Sequence, residues 1–174
     1  MKRCLIVVDY QGDFVAGAHG FPGAEALAEP IAAKMCACHA AGDDVLVTLD
    51  AAAEPVLYGA AGKAMTAEDR VFCKAHYGSR ALMAYLSRTP YETIELAGVQ
   101  SYVCVLANVI LAQTAQPDTP IVVDRRCVAG PDEALHRAAL RVMQGMKVRL
   151  IGEDLRAPAG NATSGVEYHS TDLP

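Results

Sequence analysis

Three residues carry the chemical potential of this chain of 174 residues: Asp9, Lys74 and Cys104. Each stands at or just beyond the end of an apolar, strand-like run. Cys104 follows the run that ends near Ala97 and falls in the first turn of an apolar stretch, with Ser101 placed to cap it. A thiol at a helix start feels the positive end of the helix dipole and the free backbone N–H groups, and both lower its pKa. The same N–H groups can hold an oxyanion. Asp9 follows Leu5-Ile6-Val7-Val8, which puts its carboxylate at the edge of the core. Desolvation there raises its pKa and suits a proton carrier. Lys74 closes Arg70–Lys74, just before Ala75-His76-Tyr77-Gly78-Ser79. Each residue also has a plainer reading. Composition alone favours Cys104 as a buried thiol of the helix VCVLANVIL. An Asp ending a strand often caps a turn, and a lone lysine is usually a surface residue. Three such groups at three strand ends make a chance arrangement a weaker explanation.

The elements that must position them follow from hydrophobic periodicity. Strands are expected at Arg3–Asp9, Asp44–Asp50, Arg70–Lys74, Tyr91–Ala97, Thr119–Asp124 and Lys147–Ile151. Helices are expected at Ala24–Ala41 (stopped by Gly42), Ser79–Ser87, Ser101–Thr114 and Pro131–Gly145. The stretch from Ala51 to Asp69 reads as irregular. Strands alternating with helices imply crossover units and a mostly parallel sheet, and runs such as LIVV fit burial on both faces. The expected architecture is a three-layer α/β/α sandwich whose ligand sits beyond the strand C-termini at the topological switch point. Residues 1–151 form one domain. Residues 152–174, rich in Gly, Ala, Pro, Ser and Thr, read as a tail that carries four acids and one base.

Composition narrows the function classes. Fifteen Lys and Arg against twenty Asp and Glu leave a net charge of −5, without the basic excess of a nucleic-acid binder. Met1-Lys2-Arg3 is basic, but the apolar run after it stops at Asp9, too short for a signal-peptide core or a membrane span. A cytoplasmic location is expected, with no membrane partner. Disulfides are rare there, and the six cysteines lack Cys-x-x-Cys or finger spacing. Five are expected to be packing residues and Cys104 the one placed for chemistry. No dinucleotide fingerprint follows the first strand, and no phosphate loop, Gly-x-Ser-x-Gly elbow or His-Glu-x-x-His occurs.

Four segments then carry a resemblance: LIVVDYQGDFVAG (5–17), VFCKAHYGS (71–79), ELAGVQSYVCV (95–105) and IVVDRRCVAGPDEALHRAALRVM (121–143). In order and spacing they resemble the isochorismatase-like cysteine hydrolases, the superfamily that includes nicotinamidases and N-carbamoylsarcosine amidohydrolases. The resemblance covers roughly residues 3–151. It implies a six-stranded parallel sheet of order 3-2-1-4-5-6, usually in a homo-oligomer, and a catalytic triad of Asp9, Lys74 and Cys104. It implies a cis peptide between Val99 and Gln100 that turns the Gln100 N–H toward the site beside that of Cys104. Phe14, Tyr77 and Tyr102 become candidate walls of the substrate pocket.

The sequence departs from the family at three places. Nicotinamidases hold a metal with Asp-x-His after the second strand and a later His, whereas Asp50-Ala51-Ala52 keeps only the Asp. No metal and no cofactor are expected. The position two before the nucleophile, often Asp in the family, is Tyr102. The loop 51–69 is short and made mostly of small residues. The leading expectation is a cysteine-dependent hydrolase of a small carboxamide or ureido compound, acting through a thioester. The alternative is a catalytically drifted member that binds a small molecule or serves as a scaffold. A thiol redox protein is a third reading, with no resolving cysteine evident by spacing.

Overall fold

Strand β1 (Arg3–Val8) sends alternate side chains to opposite faces of a sheet, and this alternation sets the layering. Leu5 and Val7 join one apolar cluster, while Cys4, Ile6 and Val8 join another. Both sets are buried, so the strand reads as a continuous apolar run. The computed structural model of the chain describes residues 1–153.

After β1 come α1 (Gly12–Val15), a 3-10 turn (Glu25–Leu27) and α2 (Ala28–Ala41). Strand β2 (Asp44–Asp50), α3 (Gly59–Lys63), β3 (Arg70–Lys74) and α4 (Arg80–Leu86) follow. Strand β4 (Thr93–Val99) leads into a π-helical turn (Ser101–Val105) and α5 (Leu106–Ala115). The described fold ends with β5 (Ile121–Ala129), α6 (Glu133–Gly145) and β6 (Arg149–Ile151). The six strands form one sheet of order β3-β2-β1-β4-β5-β6, with every neighbouring pair parallel. This is the expected order. It reverses direction between β1 and β4, so the crevice beyond their C-terminal ends is the place where a ligand fits.

The first cluster packs Ile31 and Met35 of α2 and Ala61 of α3 on one face. The second packs Leu82 and Leu86 of α4, Val109 and Ala112 of α5, and Leu140 and Met143 of α6 on the other. Each fully buried Leu, Ile, Val or Met side chain contributes about 1.5–3 kcal/mol relative to exposure. Gly42 ends α2 as expected, at φ 70°, and its N–H closes on the His39 carbonyl at 3.1 Å. No helix among the described residues is long and apolar enough to cross a membrane.

Several boundaries differ from expectation, each for a physical reason. Helix α1 lies in a stretch for which no element is expected and α3 in the stretch that reads as irregular; both are too short to show a period. Strand β5 continues to Ala129, past the polar Asp124-Arg125-Arg126 that seemed to end it. The ladder shifts register between Leu96 and Gly98 there, and Asp124 stays buried because Arg126 and Lys34 pair with it at 2.6 and 2.9 Å. Helix α6 starts at Glu133 and not at Pro131, capped by Asp132, whose side chain accepts from Leu135 N–H at 2.9 Å. All six cysteines are free. Cys4 and Cys127 are buried, but Cys36 and Cys73 are exposed, so the expectation of five packing thiols is corrected. Cys36 lies on the outer side of α2, and Cys73 lies on the edge strand β3. Most of the tail, from residue 154 onward, lies outside the described residues.

Candidate active site

Asp9 is the first residue after β1, and it turns sharply. Its φ is 46°, a left-handed conformation that Asp tolerates better than most side chains. The turn is held from both sides: Asp9 N–H donates to the Thr48 carbonyl at 3.0 Å, and Gln11 N–H donates to the Asp9 carbonyl at 2.8 Å. The carboxylate stays buried. Its Oδ1 accepts from the Thr48 hydroxyl at 2.9 Å, and its Oδ2 lies 2.6 Å from Lys74 Nζ. Lys74 is the last residue of β3, two strands away. Its ammonium also donates to the His76 carbonyl at 2.8 Å and reaches Cys104 Sγ at 3.6 Å. The fold therefore brings the carboxylate, the ammonium and the thiol into one cluster.

Cys104 sits in the π-helical turn, not in a regular α-helical first turn. Ser101 does not cap it. Its hydroxyl meets His136 Nδ1 of α6 at 2.8 Å, and both residues are fully buried. Asn108 anchors the same turn from α5. Its Nδ2 donates to the carbonyls of Cys104 and Tyr77 at 2.8 and 3.0 Å, and its Oδ1 accepts from Ser79 N–H at 3.0 Å. Val99-Gln100, just before the turn, is joined by a cis peptide.

The electrostatics reverse one expectation. Burial pushes the Cys104 thiol up to about 12, and the neighbouring Asp9 carboxylate adds to the rise while Lys74 opposes it. The helix end does not offset this desolvation. Burial also raises the Asp9 carboxyl above its ordinary range, although Lys74 pulls it down. The resting proton therefore belongs to the sulfur, with Asp9 as the adjacent acceptor.

A cavity of about 380 Å³ opens onto this cluster. Asp9, Cys104, Val99 and Gln100 line its base, and Phe14 and Tyr77 line its walls. Tyr102 does not belong to that lining. Its ring lies against Gly130, and its hydroxyl accepts from Asp132 N–H at 3.4 Å, because the π turn directs it toward the start of α6. Three lining residues were not anticipated, His19, Asp50 and Val103. His19 stacks on Phe14 with ring centroids 6.0 Å apart. Gln11 was also missed as a structural part of the site. Its amide accepts from Asp50 N–H at 2.7 Å and donates to the carbonyls of Asp50 and Glu54 at 3.1 and 2.8 Å. The available signals were polar residues inside apolar runs: Thr48 in VLVTLD and Asn108 in VLANVIL.

The isochorismatase domain family matches residues 3–153. The chain belongs to the isochorismatase family. Its fold is shared with a nicotinamidase from Staphylococcus aureus at 25% identity and a TM-score of 0.74, over 87% of this chain and 100% of that one. A nicotinamidase/pyrazinamidase from Bacillus subtilis aligns at 23% identity and a TM-score of 0.75, over 87% and 100%. A pyrazinamidase from Pyrococcus horikoshii, in complex with zinc, aligns at 18% identity and a TM-score of 0.76, over 87% and 99%. No curated protein sequence matches the chain at a significant level.

A metal does not fit the side chains that this isochorismatase-family member presents. Asp50 keeps a carboxylate after β2, but its Oδ1 accepts from Ala52 N–H at 2.9 Å, and Ala52 offers no ligand atom. Among the described residues no group of three or more His, Cys, Asp and Glu side chains is arranged to hold a metal ion. Divalent metals in proteins need several convergent N, O or S donors.

Proposed function

We propose that this isochorismatase-family hydrolase is a cysteine-dependent amidohydrolase of a small carboxamide or ureido compound. The observation that carries the reading is the single ammonium of Lys74, which touches both the Asp9 carboxylate and the Cys104 sulfur at the base of a cavity.

In this reading Asp9 takes the proton from Cys104, and the thiolate attacks the amide carbonyl carbon. Burial holds the proton on sulfur at rest, so the transfer to the neighbouring carboxylate runs uphill and is drawn forward by the attack. The backbone N–H groups of Gln100 and Cys104 receive the oxyanion. The C–N bond then breaks as Asp9 gives its proton to the leaving ammonia, and an S-acyl enzyme remains. Water attacks the thioester carbonyl, Asp9 accepts the water proton, and its return to sulfur restores the thiol and releases the acid. Lys74 keeps Asp9 close to its ionised form and offsets the negative charge carried by the pair.

The test is ammonia release across a panel of small primary amides and ureido compounds, with Cys104→Ala as control. Release from the native protein and none from the variant is expected. Equal release from both would remove Cys104 as the nucleophile. A second reading is a small-molecule-binding module without turnover, and the departures from the family at Ala52, at Tyr102 and in the loop 51–69 favour it. Saturable amide binding with no ammonia from any compound is its signature.

A further inference from the structure

The charge balance of the cavity selects among amides. Among the described lining residues none is Lys or Arg. The Lys74 ammonium lies outside that lining: it pairs with the Asp9 carboxylate, donates to the His76 carbonyl and reaches Cys104 Sγ at 3.6 Å, so its charge is matched by Asp9. Arg80 lines a separate depression beside Cys73 and His76. Asp50, by contrast, stands in the cavity wall, and its backbone is fixed by the Gln11 amide. Its Oδ1 accepts one backbone N–H, and it forms no ion pair among the described residues. Two aromatic side chains complete the wall: Phe14, stacked against His19, and Tyr77, which is 66% exposed. A carboxylate without a counter-cation and two aromatic side chains form the surroundings that a ligand cation prefers.

Resting on the amidohydrolase reading, we propose that the substrate is a small amide whose distal end carries a positive charge, with Asp50, Phe14 and Tyr77 as the determinants of that preference. A carboxylate-bearing amide meets Asp50 with no basic side chain to offset the repulsion. A unit charge at partly desolvated range from another shifts affinity by about 10- to 100-fold in each direction. This preference is a property of binding: Asp50 lines the same cavity as Asp9 and Cys104 and pairs in register with Lys74, but the proton transfer does not pass through its carboxylate.

The experiment uses three primary amides with one shared aromatic ring and a trimethylammonium, tert-butyl or carboxylate substituent at the same position. The assays run at pH 8. Ammonia release gives kcat/KM, and calorimetry on the full-length Cys104→Ala variant gives Kd. The expected order is cation, then neutral, then anion, with a cation-to-anion ratio of about 100 at low salt. Added sodium chloride should reduce the ratio in the unaltered protein, a readout that needs no substitution at the site. Asp50→Asn, which keeps the side-chain acceptor for Ala52 N–H, should reduce it about tenfold. Equal or anion-favouring ratios, or no binding of any of the three, would overturn the proposal. No ammonia from any amide, with the binding order preserved, would overturn the amidohydrolase reading and leave the charge selectivity standing.

Discussion

Lys74 Nζ lies 2.6 Å from Asp9 Oδ2, and both side chains are almost wholly withdrawn from water. Two charges pair inside the protein only when each satisfies the other and their remaining hydrogen-bonding groups find partners. Here Thr48 and the His76 carbonyl supply those partners. Lys74→Met leaves the Asp9 carboxylate buried without its counter-charge. The expected loss of stability is about 3–5 kcal/mol by urea unfolding, with loss of turnover. The double variant with Asp9→Asn should recover much of that stability while remaining inactive. A Lys74→Met protein as stable as the native one would show that the pair carries no such energetic weight.

Removing the sulfur should separate chemistry from folding. Cys104→Ala replaces a partly buried thiol whose charged form is disfavoured, so a cooperative fold is expected to survive. Amide turnover should fall roughly a thousandfold or more. A variant that keeps a tenth of the native kcat would place the nucleophile elsewhere.

Acid stability should depend on Asp124. Burial works to raise its carboxyl, but hydrogen bonds from Arg126 and Lys34 outweigh this and bring it down to about 2. Between pH 2 and the ordinary value of 3.8 the folded state keeps Asp124 ionised while the unfolded chain binds a proton. Stability therefore rises with pH through that window and is lost as pH falls through it, by about 2 kcal/mol in total. Asp124→Asn should flatten this arm of the stability–pH curve and lower stability at neutral pH. An unchanged acid arm in the variant would assign it to other carboxylates.

Alkaline stability should depend on Cys127 with the opposite sign. Burial raises its thiol from 9.0 to about 12. Between these values the unfolded thiol has lost its proton and the folded one has kept it, so stability falls as pH rises. The full window corresponds to about 4 kcal/mol. Chemical unfolding between pH 8 and 11 should show this slope, and Cys127→Ala should reduce it despite a lower starting stability from the lost packing.

Gly98 admits no side chain. Its φ is 118°, and a Cβ would run into the Val8 carbonyl where β4 passes β1. Gly98→Ala should cost about 3 kcal/mol or more, through combined backbone strain and displacement of a packed neighbour. Because Val99 and Gln100 follow directly, ammonia release should fall with it. A variant within 1 kcal/mol of native by roughly matched urea midpoints would mean that the strand ends separate without penalty.

Much of this was legible in the chain. Apolar runs of strand length, separated by helical stretches, fix a parallel sheet because each strand must bury both faces and each crossover must carry a helix. That logic gave six strands, the order of the sheet through the family resemblance, and the convergence of Asp9, Lys74 and Cys104 at strand ends. Short elements escaped it. Four residues of α1 and five of α3 show no period, and the polar Asp124-Arg125-Arg126 seemed to end β5 although only Asp124 is buried there, neutralised by Arg126 and by Lys34 of α2.

The sequence by itself determined which elements form and which chemical groups their ends carry, because periodicity and residue type are local properties. Only the tertiary structure decided how those groups act on one another. Proximity of Ser101 to the helix start suggested a cap, but its hydroxyl turns to His136, which lies 35 residues further along the chain. Tyr102 was a candidate wall, but the π turn sends it to Gly130, while His19 from the loop after α1 and Asp50 from the end of β2 line the cavity. The Cys104 thiol sits at a helix start, yet burial and the Asp9 carboxylate push it up to about 12. Desolvation and charge neighbours are set by what the fold brings within a few ångströms, and one-dimensional spacing does not hold that information.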